Sequence, residues 1–322
     1  RSGQTSHGPE YETLGAFGSM CLVDSPEYVA AANDLANRLG LDTISAGSAI
    51  AFAMEAYERG LIDDEVSGRP LRWGDGEALL FLLEEIAYQR GLGAVLANGT
   101  RAAAETLGPL AKELSVHVKG LEVAFHDPRA FTSMAVNYAT AMRGACHLEG
   151  LTYYVEGGTY DKSNLGLKDD YVPSGSEGKA KLAAKMQDFM AAFNTLGLCK
   201  FLLRLQVTPD EAASWLKPAC GLELTGKELL TAGEREFNLR RLCSVALGIS
   251  RKDDTLPPRL LSQPRPSGRA AGVVPFLGKM LNEYYDLRGW DAEGLPTIST
   301  LDRLGLVDYI ERLGIRRRVL SQ

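Results

Sequence analysis

The sequence predicts a mainly α protein made of two multihelical domains. Three observations carry that class. Apolar residues recur at a spacing near 3.6 along most of the chain. Gly or Pro stands where one run after another has to stop or start. Few runs rich in β-branched residues alternate at period two, so strands are minor. At 322 residues the chain is long enough for two domains and a sizeable core.

Taken in order, Ser25-Pro26-Glu27 offers a cap, a proline at the first helical position and an acid in the first turn. Tyr28, Ala31, Ala32, Leu35 and Leu39 then keep the helical period to Gly40. A second helix is expected over about residues 48–59, with Ile50, Ala53, Met54 and Tyr57 apolar and a stop at Gly60. The third, about 75–89, carries Leu79, Leu80, Leu82, Leu83 and Ile86, a face wide enough for burial on several sides. A fourth begins at Thr100 and meets Pro109, which ends or kinks it. Val116–Gly120 is a short alternating piece, and His126-Asp127-Pro128-Arg129 reads as a turn opening a helix. The domain boundary is placed at 118/119, giving domains 1–118 and 119–322.

Residues 155–177 are rich in Gly, Ser and Pro and read as a long surface loop. A long helix follows from Lys179 to Leu196, striped by Leu182, Met186, Phe189, Met190 and Phe193. Thr208-Pro209-Asp210-Glu211 is a capping box. A helix over about 227–247, an irregular crossing at 252–270 and helices near 277–287, 300–304 and 308–313 complete the chain.

Composition narrows the function classes. A net charge of −6 gives no footprint for nucleic acid. No apolar run approaches the ~20 residues of a membrane helix, and no signal peptide opens the chain. Five scattered cysteines make no disulfide framework, so a reducing, cytoplasmic setting is expected. The start, Arg1-Ser2-Gly3-Gln4-Thr5, lacks a Met and leads into a dense motif within a few residues. It is read as a chain entered in the middle.

Two stretches look alike. Asn37-Arg38-Leu39-Gly40-Leu41-Asp42 and Asn194-Thr195-Leu196-Gly197-Leu198-Cys199 share Asn-x-Leu-Gly-Leu, and each ends in a group that takes negative charge. The bland account is a pair of helix C-caps, since Gly enters the left-handed region without strain. The sharper one is two similar turns holding two similar halves of one ligand.

Other chemistry is sparse. Gly8-Pro9-Glu10-Tyr11-Glu12-Thr13 sets two carboxyls in a constrained loop, where enclosure would raise a carboxyl's pKa toward proton-transfer range. Exposed Glu pairs are common, so a solvated turn is the plain alternative. In Gly144-Ala145-Cys146-His147-Leu148 the thiol and imidazole are sequence neighbours, which point apart on most backbones. His7, His117 and His126 have no zinc spacing. Cys21, Cys220 and Cys243 sit in apolar company and read as core thiols. There is no phosphate loop, dinucleotide fingerprint or Ser elbow.

Gly8–Thr13, Gly40–Ser45, Arg143–Leu148, Leu196–Phe201 and Tyr-Tyr-Asp-Leu-Arg-Gly-Trp-Asp at Tyr284–Asp291, in that order, resemble the aldehyde:ferredoxin oxidoreductase family. The likeness spans nearly the whole chain. It implies two helical domains of that family's type, with its β-rich amino-terminal domain absent, the first domain being the family's central one, truncated at its start. It implies tungsten, or molybdenum, in a bis-pterin cofactor beside a [4Fe–4S] cluster, with Mg as a candidate bridge between pterin phosphates. Asn37, Gly40, Leu41 and Asp42 would form one pterin cradle; Asn194, Gly197, Leu198 and Cys199 would form the other, with Cys199 ligating the cluster. Glu12 matches the acid near the metal, Glu10 is the second candidate, and His147 matches the active-site histidine. The implied reaction is aldehyde oxidation, with Glu12 taking a proton and His147 hydrogen-bonding the developing oxyanion. Partners implied are ferredoxin or another electron carrier, an aldehyde, the amino-terminal part of the protein and, as a candidate assembly, a homodimer. The branch reducing aromatic (benzoyl-type) acyl-CoA and a non-catalytic helical scaffold are the alternatives.

Two departures stand out. Asn37 and Asn194 replace the family's Asp, leaving an acceptor oxygen without charge, worth ~1 kcal/mol less per hydrogen bond to a pterin. The three closely spaced cysteines that the family places before its Gly-Pro-Glu-Tyr-Glu loop are not in this sequence. The chain alone is therefore expected to hold the cofactor poorly.

Overall fold

The computed structural model describes residues 7–315 and Val319; the opening Arg1–Thr5 lies outside them. Among the described residues the fold is mainly helical, with one antiparallel hairpin, His117–Val118 against Leu121–Glu122. The chain divides into two compact units, residues 1–125 with 257–259, and residues 126–256 with 260–322. This division falls after the hairpin, where the sequence reading cuts at 118/119. Glu122 gives the reason: buried, it accepts from the Thr100 N–H at 2.7 Å and hydroxyl at 3.1 Å, fastening the hairpin to helix Gly99–Leu107.

In the first unit, helix Pro26–Leu39 opens on Ser25, whose hydroxyl accepts from the Tyr28 N–H, and closes on Gly40. The next helix, Thr43–Glu58, starts well before the expected Ser48. Thr43 and Ile44 are β-branched and lower helix propensity, so periodicity alone misses them; Asp42 caps them by accepting from the Ser45 N–H at 2.8 Å. This helix is buried on nearly every side, through Ala49, Ile50, Phe52, Ala53 and Met54. Its Gly47 lies against Ala16, where an added Cβ would meet the Ala16 Cβ at 2.6 Å. Ala16 belongs to a π-helical stretch, Leu14–Met20, that no sequence period announces. Gly76–Tyr88 and Gly99–Leu107 stand near their expected places, the latter ending before Pro109. Arg259 anchors the 257–259 segment to this unit through two 2.9 Å bonds to Glu55.

The second unit is built on helix Lys179–Leu196, which packs along Gly226–Ala246 and Leu277–Arg288. At Gly233 the approach is too close for any side chain: a Cβ would sit 1.9 Å from the Asp188 carbonyl oxygen. Asp188 pairs with Arg288, both buried, and Arg288 Nε donates to the Tyr284 hydroxyl at 2.9 Å. Burial pushes the Asp188 carboxyl up to about 6 against the opposing pull of Arg288. Most of Tyr284–Asp291 is thus a packing motif: Trp290 Nε1 donates to Asn238 at 2.7 Å, and Tyr285 pairs with Asp254. The expected capping box at Thr208 is present, and a second, at Thr225, opens Gly226–Ala246. The 155–177 loop carries short turns at Tyr153–Glu156 and Lys162–Leu165.

One cysteine assignment is corrected. Cys21 is buried, and burial pushes its thiol up to about 12, but Cys220 and Cys243 are exposed. Cys220 closes the short surface helix Leu216–Cys220, and Cys243 lies on the outer face of Gly226–Ala246, so apolar neighbours in sequence did not mean burial. No helix among the described residues is long and apolar enough to cross a membrane.

Candidate functional site

The twin stretches fold alike. In the first unit Gly40 has φ 71° and ψ 28°, its N–H donates to Asn37 O at 3.3 Å, and the Leu41 N–H donates to Ala36 O at 2.9 Å. In the second unit Gly197 has φ 67° and ψ 23°, with Gly197 N–H to Asn194 O at 3.1 Å and Leu198 N–H to Phe193 O at 3.0 Å. The pair of bonds is a Schellman motif. The next residues match too: Asp42 at φ −67°, ψ 125° and Cys199 at φ −69°, ψ 129°, each opening the following helical segment. Asn, Gly and the final residue are exposed in both turns, and Leu41 and Leu198 are half-buried.

The conformation is not reserved for these two places. Asp302-Arg303-Leu304-Gly305-Leu306 makes the same bonds, Gly305 N–H to Asp302 O at 3.0 Å and Leu306 N–H to Leu301 O at 2.8 Å. There the residue after the turn is Val307 and Leu306 is buried in the core. The helix-stop account therefore explains the shape of these turns, and of others such as Gly60 and Gly314, which make the same pair of bonds. It leaves unexplained the thiol and the space beside the first turn, since the acid already caps Thr43–Glu58.

That space is a hollow of about 730 Å³ within the first unit, bordered by His7, Glu10, Asn33, Asn37, Leu41 and Asp42 among others. Its floor is organised: Asn33 donates to His7 O at 2.9 Å, and Asn37 Nδ2 donates to Asn33 O at 2.8 Å. The expected loop is helical from Tyr11, with Glu10 as its N-cap residue, and the Thr13 and Thr43 hydroxyls meet at 2.8 Å, tying it to the helix that Asp42 caps. This helix start separates its two carboxyls. Glu10 is exposed on the hollow, whereas Glu12 is buried and its Oε2 accepts from the Phe125 N–H at 3.0 Å.

In the second unit His147 begins a single 3-10 turn, His147–Glu149, and is half-buried. Asn137 Nδ2 donates to Cys146 O at 3.1 Å, and Glu149 takes both Arg240 Nη atoms, at 2.9 and 2.8 Å. Burial pushes the Cys146 thiol up. His126, set aside in sequence for want of a partner, stacks on Tyr153 with ring centroids 3.9 Å apart and lies 5.0 Å from the His147 ring. No spacing rule finds such a pair, because the two imidazoles come from segments twenty-odd residues apart.

The sequence profile described as aldehyde ferredoxin oxidoreductase, domains 2 and 3, matches residues 1–306. The chain belongs to this family. It is similar to the tungsten-containing aldehyde ferredoxin oxidoreductase of Pyrococcus furiosus, 37% identical over 94% of this chain and 49% of that protein. The Thermococcus kodakarensis protein of the same description is 36% identical over 95% of this chain and 49% of its own length. Among solved structures, the active site complex BamBC of benzoyl coenzyme A reductase with 1,5 dienoyl-CoA shares the fold, with a TM-score of 0.77 at 21% identity. That match covers 100% of this chain and 52% of the other. The chain spans about half the length of the curated relatives it matches.

The residues fit a share of the group this family implies. The hollow's amides, hydroxyls and exposed turn suit the hydrogen-bonding edge of a flat heterocycle, and its volume is in the range of ligand sites. Cys199 is an exposed free thiol whose side chain caps nothing, as a terminal iron ligand requires.

Proposed function

We propose that this chain is the carboxy-terminal part of a tungsten bis-pterin oxidoreductase that oxidises aldehydes in the cytoplasm and passes electrons through a [4Fe–4S] cluster to ferredoxin. The observation that carries it is the exposed Cys199 thiol after a turn that repeats the Asp42 one, in a member of this family, with a polar hollow beside the Asp42 turn. When bound, the metal-pterin supplies the two-electron redox chemistry and the cluster carries the electrons away singly. In this reading Gly40 and Gly197 would let the backbone approach the pterins, with Leu41, Leu198, Asn37 and Asn194 as the residues that would hold them. Cys199 ligates one iron. Glu12, oriented by the Phe125 N–H, would take a proton from the water that adds to the aldehyde carbon, and His147 would hydrogen-bond the developing oxyanion. Mg as an accessory ion of the cofactor and a homodimer belong to the same proposal.

Metal analysis of the full-length protein tests it. Tungsten with about four irons is expected; neither metal would leave a helical scaffold. Aldehyde oxidation is favoured over acyl-CoA reduction because identity is 37% to the aldehyde enzyme and 21% to the benzoyl-CoA reductase chain. Glu12→Gln should lose turnover while keeping tungsten. Near-normal turnover would move the proton to Glu10.

A further inference from the structure

His147 and Cys199 belong to different segments of the second unit: His147 opens a single 3-10 turn, and Cys199 stands between helix Lys179–Leu196 and the 3-10 segment Lys200–Leu205. The bond that joins those turns comes from a residue with no assigned role. Lys200, directly after Cys199 and half-buried, reaches across with its ammonium to the Leu148 carbonyl oxygen. Leu148 is the middle residue of the His147–Glu149 turn.

A second clasp acts on the same turn from another direction. Glu149, 6% exposed, is held by both Nη atoms of Arg240, and Arg240 stands on helix Gly226–Ala246. That helix packs along Lys179–Leu196, the helix that ends in the Cys199 turn. The imidazole-bearing turn is therefore gripped by a cation from the thiol-bearing turn and by a cation from the helix beneath it. An ammonium-to-carbonyl bond is charge-assisted and stronger than a neutral one. A lysine suits the task, because a compact charge on a flexible stem can meet one lone carbonyl.

Resting on the proposed function, we infer that Lys200 is a positioning residue that fixes the His147 turn to the Cys199 turn. The proton-handling imidazole and the electron-exit thiolate then keep one spacing through turnover. Lys200 itself touches neither substrate nor iron in this role. It acts through Leu148.

Hydrogen exchange by mass spectrometry on the full-length protein, comparing wild type, Lys200→Met and Lys200→Arg, tests the inference. The amides of residues 149–151, where Leu151 N–H donates to His147 O at 3.0 Å, should exchange about tenfold faster in the Met variant. Peptides from Pro26–Leu39 should be unchanged, and Arg, which keeps a charged donor, should restore most of the protection. Lys200→Gln, read the same way, serves if the Met variant does not fold. In protein that carries a cluster, the Met variant should also lower kcat about tenfold with KM nearly constant, and Arg should rescue it. Unaltered exchange at 149–151 overturns the inference, as does a cluster potential that shifts with charge while exchange stays put. Protein lacking tungsten and iron would sink the proposed function, yet the exchange result would still decide the clasp.

Discussion

The turns at Asn37–Asp42 and Asn194–Cys199 share backbone angles within a few degrees and the same two hydrogen bonds, yet they are built on different supports. The first ends an amphipathic surface helix, whose last-turn ion pair, Arg38 with Asp34 at 2.9 Å, joins an exposed cation to a half-buried acid. The second ends a helix buried along most of its length and anchored by the Arg288–Asp188 pair. Their final residues differ in the same spirit. Asp42 spends its carboxylate on capping Thr43–Glu58, while the Cys199 thiol caps nothing. Identical shape thus serves one turn that is bound into its own fold and another whose reactive atom is left for something else.

The strongest way to break that contrast is Cys199→Ser. In the full-length protein the visible and EPR spectrum of the proposed cluster should vanish while circular dichroism keeps its helical signal, since the thiol makes no capping bond. A retained spectrum would mean that the exposed thiol is not a ligand. Next in size is the support. Arg288→Met leaves Asp188 buried without its cation and should cost about 3–5 kcal/mol in denaturant unfolding. The matching change at the first turn, Arg38→Met, removes a pair whose cation is exposed and should cost less than about 1 kcal/mol. Similar losses at both sites would erase the difference in anchorage.

These contrasts also mark what the sequence could show. Helices with a cap, a period and a glycine stop were readable to within a residue or two, as at Pro26–Leu39 and Lys179–Leu196. The mainly α class came from them. The start of Thr43–Glu58 was hidden because Asp42 has two meanings, ligand and cap, and β-branched Thr43 and Ile44 argue against a helix that tertiary burial then enforces. The π-helical Leu14–Met20 was hidden because its fit depends on Gly47 from another helix. Glu10 and Glu12 looked equivalent as letters; enclosure separates them, and enclosure is a property of the fold. His126 was missed because its neighbours in space, Tyr153 and His147, are remote in sequence. The third turn at Asp302–Leu306 is the warning in the other direction. Spelling and hydrogen bonds alone do not make a cradle.

A smaller effect probes whether the twins are equal as conformations. Gly40→Ala and Gly197→Ala each force a Cβ into a left-handed residue, at φ 71° and 67°, with nothing within 4 Å of the added atom. Steric contact with neighbours is therefore not part of the cost, and only backbone strain remains. Each change should cost about 1–2 kcal/mol, and the two values should agree within about 0.5 kcal/mol. A clear inequality in urea unfolding would show that the turns differ in more than their final residues.

The smallest effect tests those final residues directly. Asp42→Ala removes the carboxylate that accepts the Ser45 N–H at 2.8 Å, leaving the first turn of Thr43–Glu58 short of a partner. Loss of such a cap costs about 1 kcal/mol, which in a unit of this size lowers the unfolding midpoint by about 2–4 °C. Asp42→Asn, which keeps an acceptor oxygen, should recover most of it. Cys199→Ala in the same measurement should stay within about 0.5 kcal/mol of wild type, because an exposed side chain with no capping bond has little to lose. If Cys199→Ala instead destabilises as much as Asp42→Ala without any cluster bound, the thiol is a structural part of its turn, and the division of labour between the two bends disappears.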